Sequence, residues 1–418
     1  MRRRSSLTAR RRFLGSGLAA AAGLLLPGSV AASSVSGLGA LRARFPDLRR
    51  RFIFEYYPWY GRDPWRHWDA EDRTPPFDLA APYMPLLGAY DSRSRATIEQ
   101  HARWIADSGV GSVNLSWWGP DSYEDRAVHG VMDVMRDHDL KVTFHLEPYA
   151  PDRGRRFATD VLYLLKEYGQ RRHFDAFLLL QDPDGSVGPV FKGFEMILPP
   201  TSRDCFGVDR PVANFTLDRE WRQELGTLRS VLRGDFERVR VLADSLNVDR
   251  AADAGFDGIA VYDNRVGPER YPPVARAATA RGLLFSFNVN AGFHLVRPRM
   301  PVVDACGQAV PPPAFLPAGE GLDLSTARGR EQAADLSRHR IVDSFEATVA
   351  LQSDPALLNA QRGFFLSYVN SFNEWHEGHA FEPMKDAAAL TREERAFAYD
   401  NPVRGDYRLA LLVALLRS

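Results

Sequence analysis

Two cysteines in 418 residues are few. That scarcity excludes a disulfide-built scaffold and every zinc pattern that draws on repeated Cys-x-x-Cys pairs. Cys205 and Cys306 stand far apart, and spacing alone does not say whether they meet; an oxidising compartment would permit a bond. An excess of charge of one sign is missing too, with 53 basic against 53 acidic residues. Nothing therefore marks nucleic acid as a partner. No repeat of about 20–50 residues and no low-complexity tract occurs, which removes solenoids and fibres. The Gly-x-Ser-x-Gly elbow of many serine hydrolases is absent. So is the glycine cluster that cradles phosphate after the first strand of a doubly wound sheet, where Tyr56-Tyr57-Pro58-Trp59-Tyr60-Gly61 stands instead. What remains is an ordinary globular composition, 45% hydrophobic and 25% charged, able to bury a large core.

The first 32 residues read differently from the rest. A basic stretch ending in Arg10-Arg11-Arg12-Phe13-Leu14 leads into an Ala-rich apolar run and then to small residues at Val30-Ala31-Ala32. This is the form of a bacterial export signal cut near Ala32, and the paired arginines suggest the route that carries folded proteins, with an ordinary secretory signal as the alternative. Gly15, Gly17, Gly23 and Pro27 interrupt the run, and Leu409–Leu416 is too short, so neither suits a span that needs about 20 apolar residues. The expectation is an exported chain, periplasmic or secreted, with no stable membrane anchor. Removing 1–32 leaves 47 basic against 53 acidic residues, a mildly acidic mature protein. Residues 33–50 read as a linker and 51–418 as a single catalytic domain.

From Arg51 onward, short β-rich runs alternate with helical stretches, the rhythm of a parallel sheet with crossover helices. The runs are Phe52–Tyr57, Ser112–Trp117, Lys141–Leu146, Pro189–Glu195, Val239–Ala243, Gly258–Tyr262, Leu283–Asn288 and Gly363–Ser371. Eight of them predict a closed (β/α)8 TIM barrel of the α/β class. Around the fourth, Ala176–Gln181 before Asp182-Pro183-Asp184-Gly185 also reads as a strand entering a hairpin turn. Ile98, Ala102, Ile105 and Ala106 in one intervening stretch, and Val131, Val134 and Met135 in another, recur at helical spacing and belong to the core. The Pro-rich segment 298–320 reads as a loop over the top face.

Barrel active sites gather at the C-terminal ends of the strands, so the residues just past each run are the candidates. They are Tyr56, Tyr57, Trp59 and Tyr60 with the later His67 and Trp68; Trp117 and Trp118; His145, Glu147 and Tyr149; Tyr262; Asn290; and Asn373, Trp375, His376 and Glu382 around the pair Glu374 and Glu377. Glycoside hydrolysis needs a proton donor for the departing oxygen and a second carboxylate on the sugar side. Glu374 and Glu377, three residues apart, are separated by no more than about 10 Å of extended chain, so one sugar could touch both. Aromatic rings and histidines beside them offer flat apolar faces with polar edges, the mix that packs on sugars. The plain alternatives are a solvated acidic pair and rings that merely fill core. His376 and His379 lie three apart rather than four and do not make the helical zinc motif, so no metal and no cofactor is expected. Lys192 invites a Schiff-base reading, but a lone lysine there more often pairs with a carboxylate such as Glu195.

These strings together resemble the glycoside hydrolases of family 99. The likeness runs through Tyr56-Tyr57-Pro58-Trp59-Tyr60-Gly61, Leu87-Gly88-Ala89-Tyr90-Asp91-Ser92-Arg93, Leu115-Ser116-Trp117-Trp118-Gly119, Val142 to Tyr149, Gly255 to Ile259 and, above all, Ser371-Phe372-Asn373-Glu374-Trp375-His376-Glu377-Gly378. The resemblance implies a (β/α)8 barrel and endo-acting, metal-independent cleavage of α-mannosidic linkages with retention. It further implies that the residue at Glu374 acts as base on the sugar's own 2-hydroxyl, giving a 1,2-anhydro sugar, while the residue at Glu377 protonates the leaving oxygen. The chain departs from the family around Val190 to Glu195, where Lys192 and Phe194 stand in place of tyrosines expected near the sugar pocket, so the partner is an oligo- or polysaccharide that need not be a mannan. A non-catalytic glycan-binding or surface-polysaccharide assembly protein on the same barrel is the alternative. The oligomeric state is not legible.

Overall fold

The computed structural model describes residues 37–418, apart from 171–173, 301, 305, 310–314 and 318–321. The expected export signal, 1–32, lies outside the described residues.

All eight runs form strands of one parallel barrel: β1 (Phe52–Tyr56), β2 (Ser112–Trp117), β3 (Lys141–Leu146), β4 (Val187–Gly193), β5 (Arg240–Ala243), β6 (Gly258–Ala260), β7 (Leu284–Ser286) and β8 (Ser367–Asn370). Neighbours pair in chain order, and β1 closes the ring against β8 with Phe52 opposite Ser367. The seventh strand is broken at Phe287. Its first part pairs with β6, and its continuation, Asn288–Asn290, pairs with β8. Between the strands run α1 (Arg95–Ser108), α2 (Asp125–Asp137), α3 (Arg153–Leu164), α4 (Asp218–Leu232), α5 (Val248–Asp253), α6 (Tyr271–Ala280) and α7 (Ala327–Ser353), and α8 (Tyr407–Arg417) packs between α1 and α7 to complete the outer ring.

The strands are buried on both faces, which is why they read as apolar runs rather than as a simple alternation. In β1 every residue is buried. Phe52, Phe54 and Tyr56 face the helices with Val113, Leu115, Val142 and Phe144. Ile53 points inward and fills the bottom of the barrel with Val190, Leu242, Ala260, Leu284 and Tyr368. The helices bury the stripes their spacing predicts. In α1 these are Ile98, His101, Ala102 and Ile105, and the helix stops at Gly109, whose φ of 89° suits a residue without Cβ. Each buried Ile or Leu is worth about 1.5–3 kcal/mol.

Both readings of the fourth unit hold. A short strand, Leu179–Gln181, runs antiparallel to β4 across the Asp182–Gly185 turn. The expected linker is a correction: 37–44 is a helix whose Leu38 and Leu41, with Phe45, are buried in the main core. The two cysteines meet. Cys205, in a hairpin between β4 and α4, is bonded to Cys306, in the long segment between β7 and α7, with Cα atoms 6.1 Å apart. Among the described residues no helix is long and apolar enough to cross a membrane.

Candidate active site

The loop that leaves β8 carries both glutamates, and its shape is set by hydrogen bonds to distant parts of the chain. Asn373 clamps the backbone of Tyr57, accepting from its N–H at 2.8 Å and donating to its carbonyl at 2.9 Å, which ties this loop to the end of β1. Ser371 Oγ accepts from the Glu374 N–H, and the Tyr60 hydroxyl accepts from the Trp375 N–H. Beneath, Glu382 accepts from the Trp375 indole at 2.9 Å and from the Tyr90 hydroxyl at 2.8 Å. The far side is sewn to the segment after β7, where the N–H groups of His294 and Val296 donate to the carbonyls of Glu377 and His376. Gly378 makes the turn at φ 62°, and a Cβ there would sit 2.4 Å from the His294 carbonyl oxygen.

This fold of the loop turns Glu374 and Glu377 toward one another. Glu374 is almost fully buried, whereas the side chain of Glu377 keeps 31% of its exposure. The Tyr262 hydroxyl donates to Glu374 at 2.5 Å and is itself 2.5 Å from the Tyr57 hydroxyl. His379 Nε2 lies 3.0 Å from Glu377 and 3.4 Å from Glu374. Burial pushes the Glu374 carboxyl up, and the neighbouring Glu377 adds to this, while His379 and Tyr262 pull the other way. Burial alone would lower His379, but its hydrogen bonds to Glu374 and Glu377 and their charges outweigh it and lift the imidazole to about 9. Tyr57 and Tyr262 are held well above the usual tyrosine range, first by burial and then by Glu374, so they act as neutral donors.

Around the pair the structure gathers Tyr57, Trp59, His67, Trp118, Glu147, Tyr262 and His376. Trp59 stacks on His67 with centroids 4.6 Å apart, and the Trp118 indole donates to Ser116. Glu147 accepts from the same serine hydroxyl at 2.8 Å; burial, with help from the charges of Glu374 and Glu55, pushes it up to about 8. Tyr60 and His145 form the floor, Tyr60 bonded to His376 and His145 to Glu55.

Other expected contacts are placed differently: all but the half-buried Tyr149 are fully enclosed, and their polar atoms are engaged inside the protein. Tyr56 faces the helices and bonds His101. Trp68 lies under Tyr60 and donates to the Tyr90 carbonyl. Trp117 donates to Asp125 on the outer side of the barrel. Tyr149 packs on Gly119 and donates to Asp160. Asn290 bonds Asn288 and Arg340, and Asn373, Trp375 and Glu382 shape the loop from behind. Lys192 also differs from expectation. It points into the barrel and pairs with Glu55, not Glu195, lying over the rings of Tyr368 and Tyr262 at 4.2 and 5.0 Å. Glu195 sits beyond the strand at φ 44°, with its N–H on Asp244.

Sequence reasoning passed over Glu55, although a lone acid in the apolar run Phe52–Tyr56 was a signal, and considered His379 only as a metal ligand. Glu374, Glu377 and His379 each offer a donor atom within 4.8 Å of the others. Those atoms already share one another's hydrogen bonds, and a divalent ion would have to displace the proton that the carboxylates hold on His379. Of the other such group, Cys205, Asp304 and Cys306, both sulfurs are bonded.

A closed (β/α)8 barrel with two facing carboxylates among aromatic rings at the C-terminal end of its strands is an arrangement suited to glycoside chemistry. The profile of Glycosyl hydrolase family 99 matches residues 51–178. The mouse protein "Glycoprotein endo-alpha-1,2-mannosidase" is 23% identical over 361 residues, 78% of this chain and 66% of that protein. The Xenopus laevis protein of the same name is 29% identical over 173 residues, 35% of this chain and 38% of that one. The chain thus spans less than two thirds of the length of these relatives. The solved GH99 endo-alpha-mannosidase from Bacteroides thetaiotaomicron superposes with a TM-score of 0.57 at 20% identity, over 88% of this chain and 97% of that one, a likeness that establishes the fold. These likenesses, the profile over 51–178, the relatives and the shared fold, all point to glycosyl hydrolase family 99 as what the chain is similar to. Glu374 and Glu377 lie beyond the residues the profile matches, so their assignment rests on the geometry above.

Proposed function

We propose that the protein is an exported, retaining, endo-acting glycoside hydrolase that cleaves α-mannosidic or related bacterial polysaccharide linkages. Glu374 is the base toward the sugar's 2-hydroxyl, giving a 1,2-anhydro sugar, and Glu377 is the general acid and then base. The observation that carries this reading is the facing pair itself. One oxygen of each carboxylate lies within 4.8 Å of the other, closer than the roughly 6.5–9.5 Å that leaves room for a water in inverting enzymes. Tyr262 and His379 stabilise the ionised form of Glu374, as a base requires, and Glu377 keeps the exposure that contact with a leaving group needs. The family relatives named for endo-α-mannosidase activity support the substrate class.

The test is product analysis with α-mannans and purified bacterial polysaccharides. Glu377→Gln should lose activity on natural glycans but spare substrates with good leaving groups, and Glu374→Gln should show no such rescue. Near-normal turnover by both variants would overturn the assignment, and binding without products would favour the glycan-binding alternative. A covalent adduct on Glu374 with a 2-deoxy-2-fluoro sugar would reject the anhydro route alone. Export is supported by the Arg10-Arg11-Arg12-Phe13-Leu14 stretch and by the bonded cysteines, which suit an oxidising compartment. Arg10→Lys with Arg11→Lys should strand the precursor in the cytoplasm, and unchanged export would exclude the twin-arginine route.

A further inference from the structure

The role assigned to His379 so far, steadying the charge of Glu374, uses only one of its contacts, yet it touches both glutamates. Its ring is fully buried, with Nε2 at 3.0 Å from Glu377 and 3.4 Å from Glu374. Nδ1 has no hydrogen-bond partner among the described residues. In a triad, an acceptor behind the imidazole fixes its tautomer and stabilises its charge. Here none does, so the two carboxylates in front decide where the Nε2 proton rests. It can stay on the ring with both carboxylates ionised, or cross 3.0 Å to Glu377 and leave the ring neutral.

We propose that His379 stores the proton that Glu377 delivers to the departing oxygen, a role that rests on the hydrolase reading of this site and deepens it. In the resting site the three groups share one transferable proton, on Nε2, while Nδ1 keeps its own and both carboxylates are ionised. As the glycosidic bond breaks, that proton passes through Glu377 to the leaving oxygen, which takes the bonding electron pair. The 2-hydroxyl gives its proton to Glu374 and its oxygen bonds to the anomeric carbon. Water then adds to that carbon and surrenders a proton to Glu377, from which it returns to Nε2. Glu374 reprotonates the sugar oxygen as the strained ring opens. One water is consumed, and all three groups return to their starting state.

The charges facing this ring from its surroundings are few. From the barrel, Tyr262 donates to Glu374 with Tyr57 behind it, and Glu147 adds a repulsive partner to Glu374. From α8, Arg408 donates to the carbonyls of Gly378 and Ala380, on either side of the ring. Arg265, in the loop before α6, acts on Glu377. His294, whose carbonyl abuts Gly378, spends its ring nitrogens on Tyr83 and Asp400. The lifted titration of His379, to about 9, agrees with a proton held by both carboxylates.

Two measurements on the full mature chain test this. With 15N-labelled histidine, one imidazole should stay doubly protonated to about pH 9, and this signal should fall toward the ordinary histidine range near 6.5 in a Glu374→Gln/Glu377→Gln double variant. In kinetics, His379→Gln can still hydrogen-bond but cannot store a proton. The basic limb of its kcat/KM profile should move at least about one pH unit to lower pH, with a loss of about 10²-fold on natural glycans above that limb and little loss on activated aryl glycosides. An equal loss at every pH and on both substrates, with the limb unmoved, would make His379 a structural residue and overturn the proposal. Should His379→Gln fail to fold, His379→Asn takes its place, and the wild-type titration decides independently: an imidazole neutral at pH 8 overturns it. A wild type that cleaves no glycan defeats the hydrolase reading, whereas an active wild type with an unmoved limb defeats only the role of His379.

Discussion

Glu55 and Lys192 form an ion pair inside the barrel, both almost fully buried, directly below the chemistry. Glu55 also accepts from Asn114 at 2.8 Å and bonds His145 at 3.2 Å, so its charge is fully engaged. Burial works to raise this carboxyl, but Lys192 and His145 outweigh it and hold it at about 2. The folded value is below the unfolded value of about 4.3, so the stabilisation is present above that pH and is lost as pH falls toward 2. Because Lys192 underlies the ring of Tyr262, which holds Glu374, the pair also supports the base. Glu55→Gln leaves a buried ammonium without its counter-charge and should cost about 3–5 kcal/mol in urea unfolding at pH 7, most of it recovered by adding Lys192→Met. An unchanged midpoint for the single variant would mean that the ammonium had found another partner. The sequence made Lys192 visible but gave it the wrong acid. Glu195 is its neighbour along the chain, while Glu55, on a strand 137 residues away, is its neighbour across the barrel.

The loop after β8 shows a different limit to what a sequence reveals. The pair of acids and their spacing were legible, since the chemistry needs those groups close together. The means of holding them was not, because Asn373 reads as a contact residue until its partner, the backbone of Tyr57, is seen 316 positions away. The same holds for Trp375 and Glu382, whose mutual hydrogen bond turns two apparent sugar contacts into a brace. Gly378 is the point at which this element is most constrained. A methyl group there would lie 2.4 Å from the His294 oxygen and 2.7 Å from Pro82 Cγ, on a backbone at φ 62°. Gly378→Ala should therefore shift Glu377 and His379 relative to Glu374. A displacement of about 1 Å can cost roughly 10²-fold in rate. The expected result is a loss of that size in kcat/KM, with stability lowered by only about 1–3 kcal/mol, since the strain is local. Full activity in a well-folded variant would show that the loop position is not what aligns the pair.

The barrel as a whole was the most legible feature, because eight apolar runs separated by helix-length stretches leave few arrangements that bury them all. Its N-terminal closure was not legible. Residues 33–50 read as a linker, yet within them Leu38, Leu41 and Phe45 recur at helical spacing and are all buried. Phe45 lies 6.4 Å from Phe365, and Arg51 lies over the Phe45 ring at 4.1 Å. Arg42 reaches the Leu416 carbonyl at the end of α8, and Gly37 lies against Val349 of α7, so this helix joins the last two outer helices to the entrance of β1. Burying three such side chains is worth about 4.5–9 kcal/mol, comparable with the roughly 5–15 kcal/mol that keeps a typical domain folded. A chain beginning at residue 51 should therefore melt at least about 5 °C below one beginning at residue 37, and should show the same deficit in denaturant. The active site lies at the opposite end of the strands, so turnover per folded molecule at low temperature should be nearly equal in the two. Equal melting temperatures would return the segment to the status of a linker, and a loss of turnover without a loss of stability would mean that the closure of β1 against β8 reaches the catalytic loop.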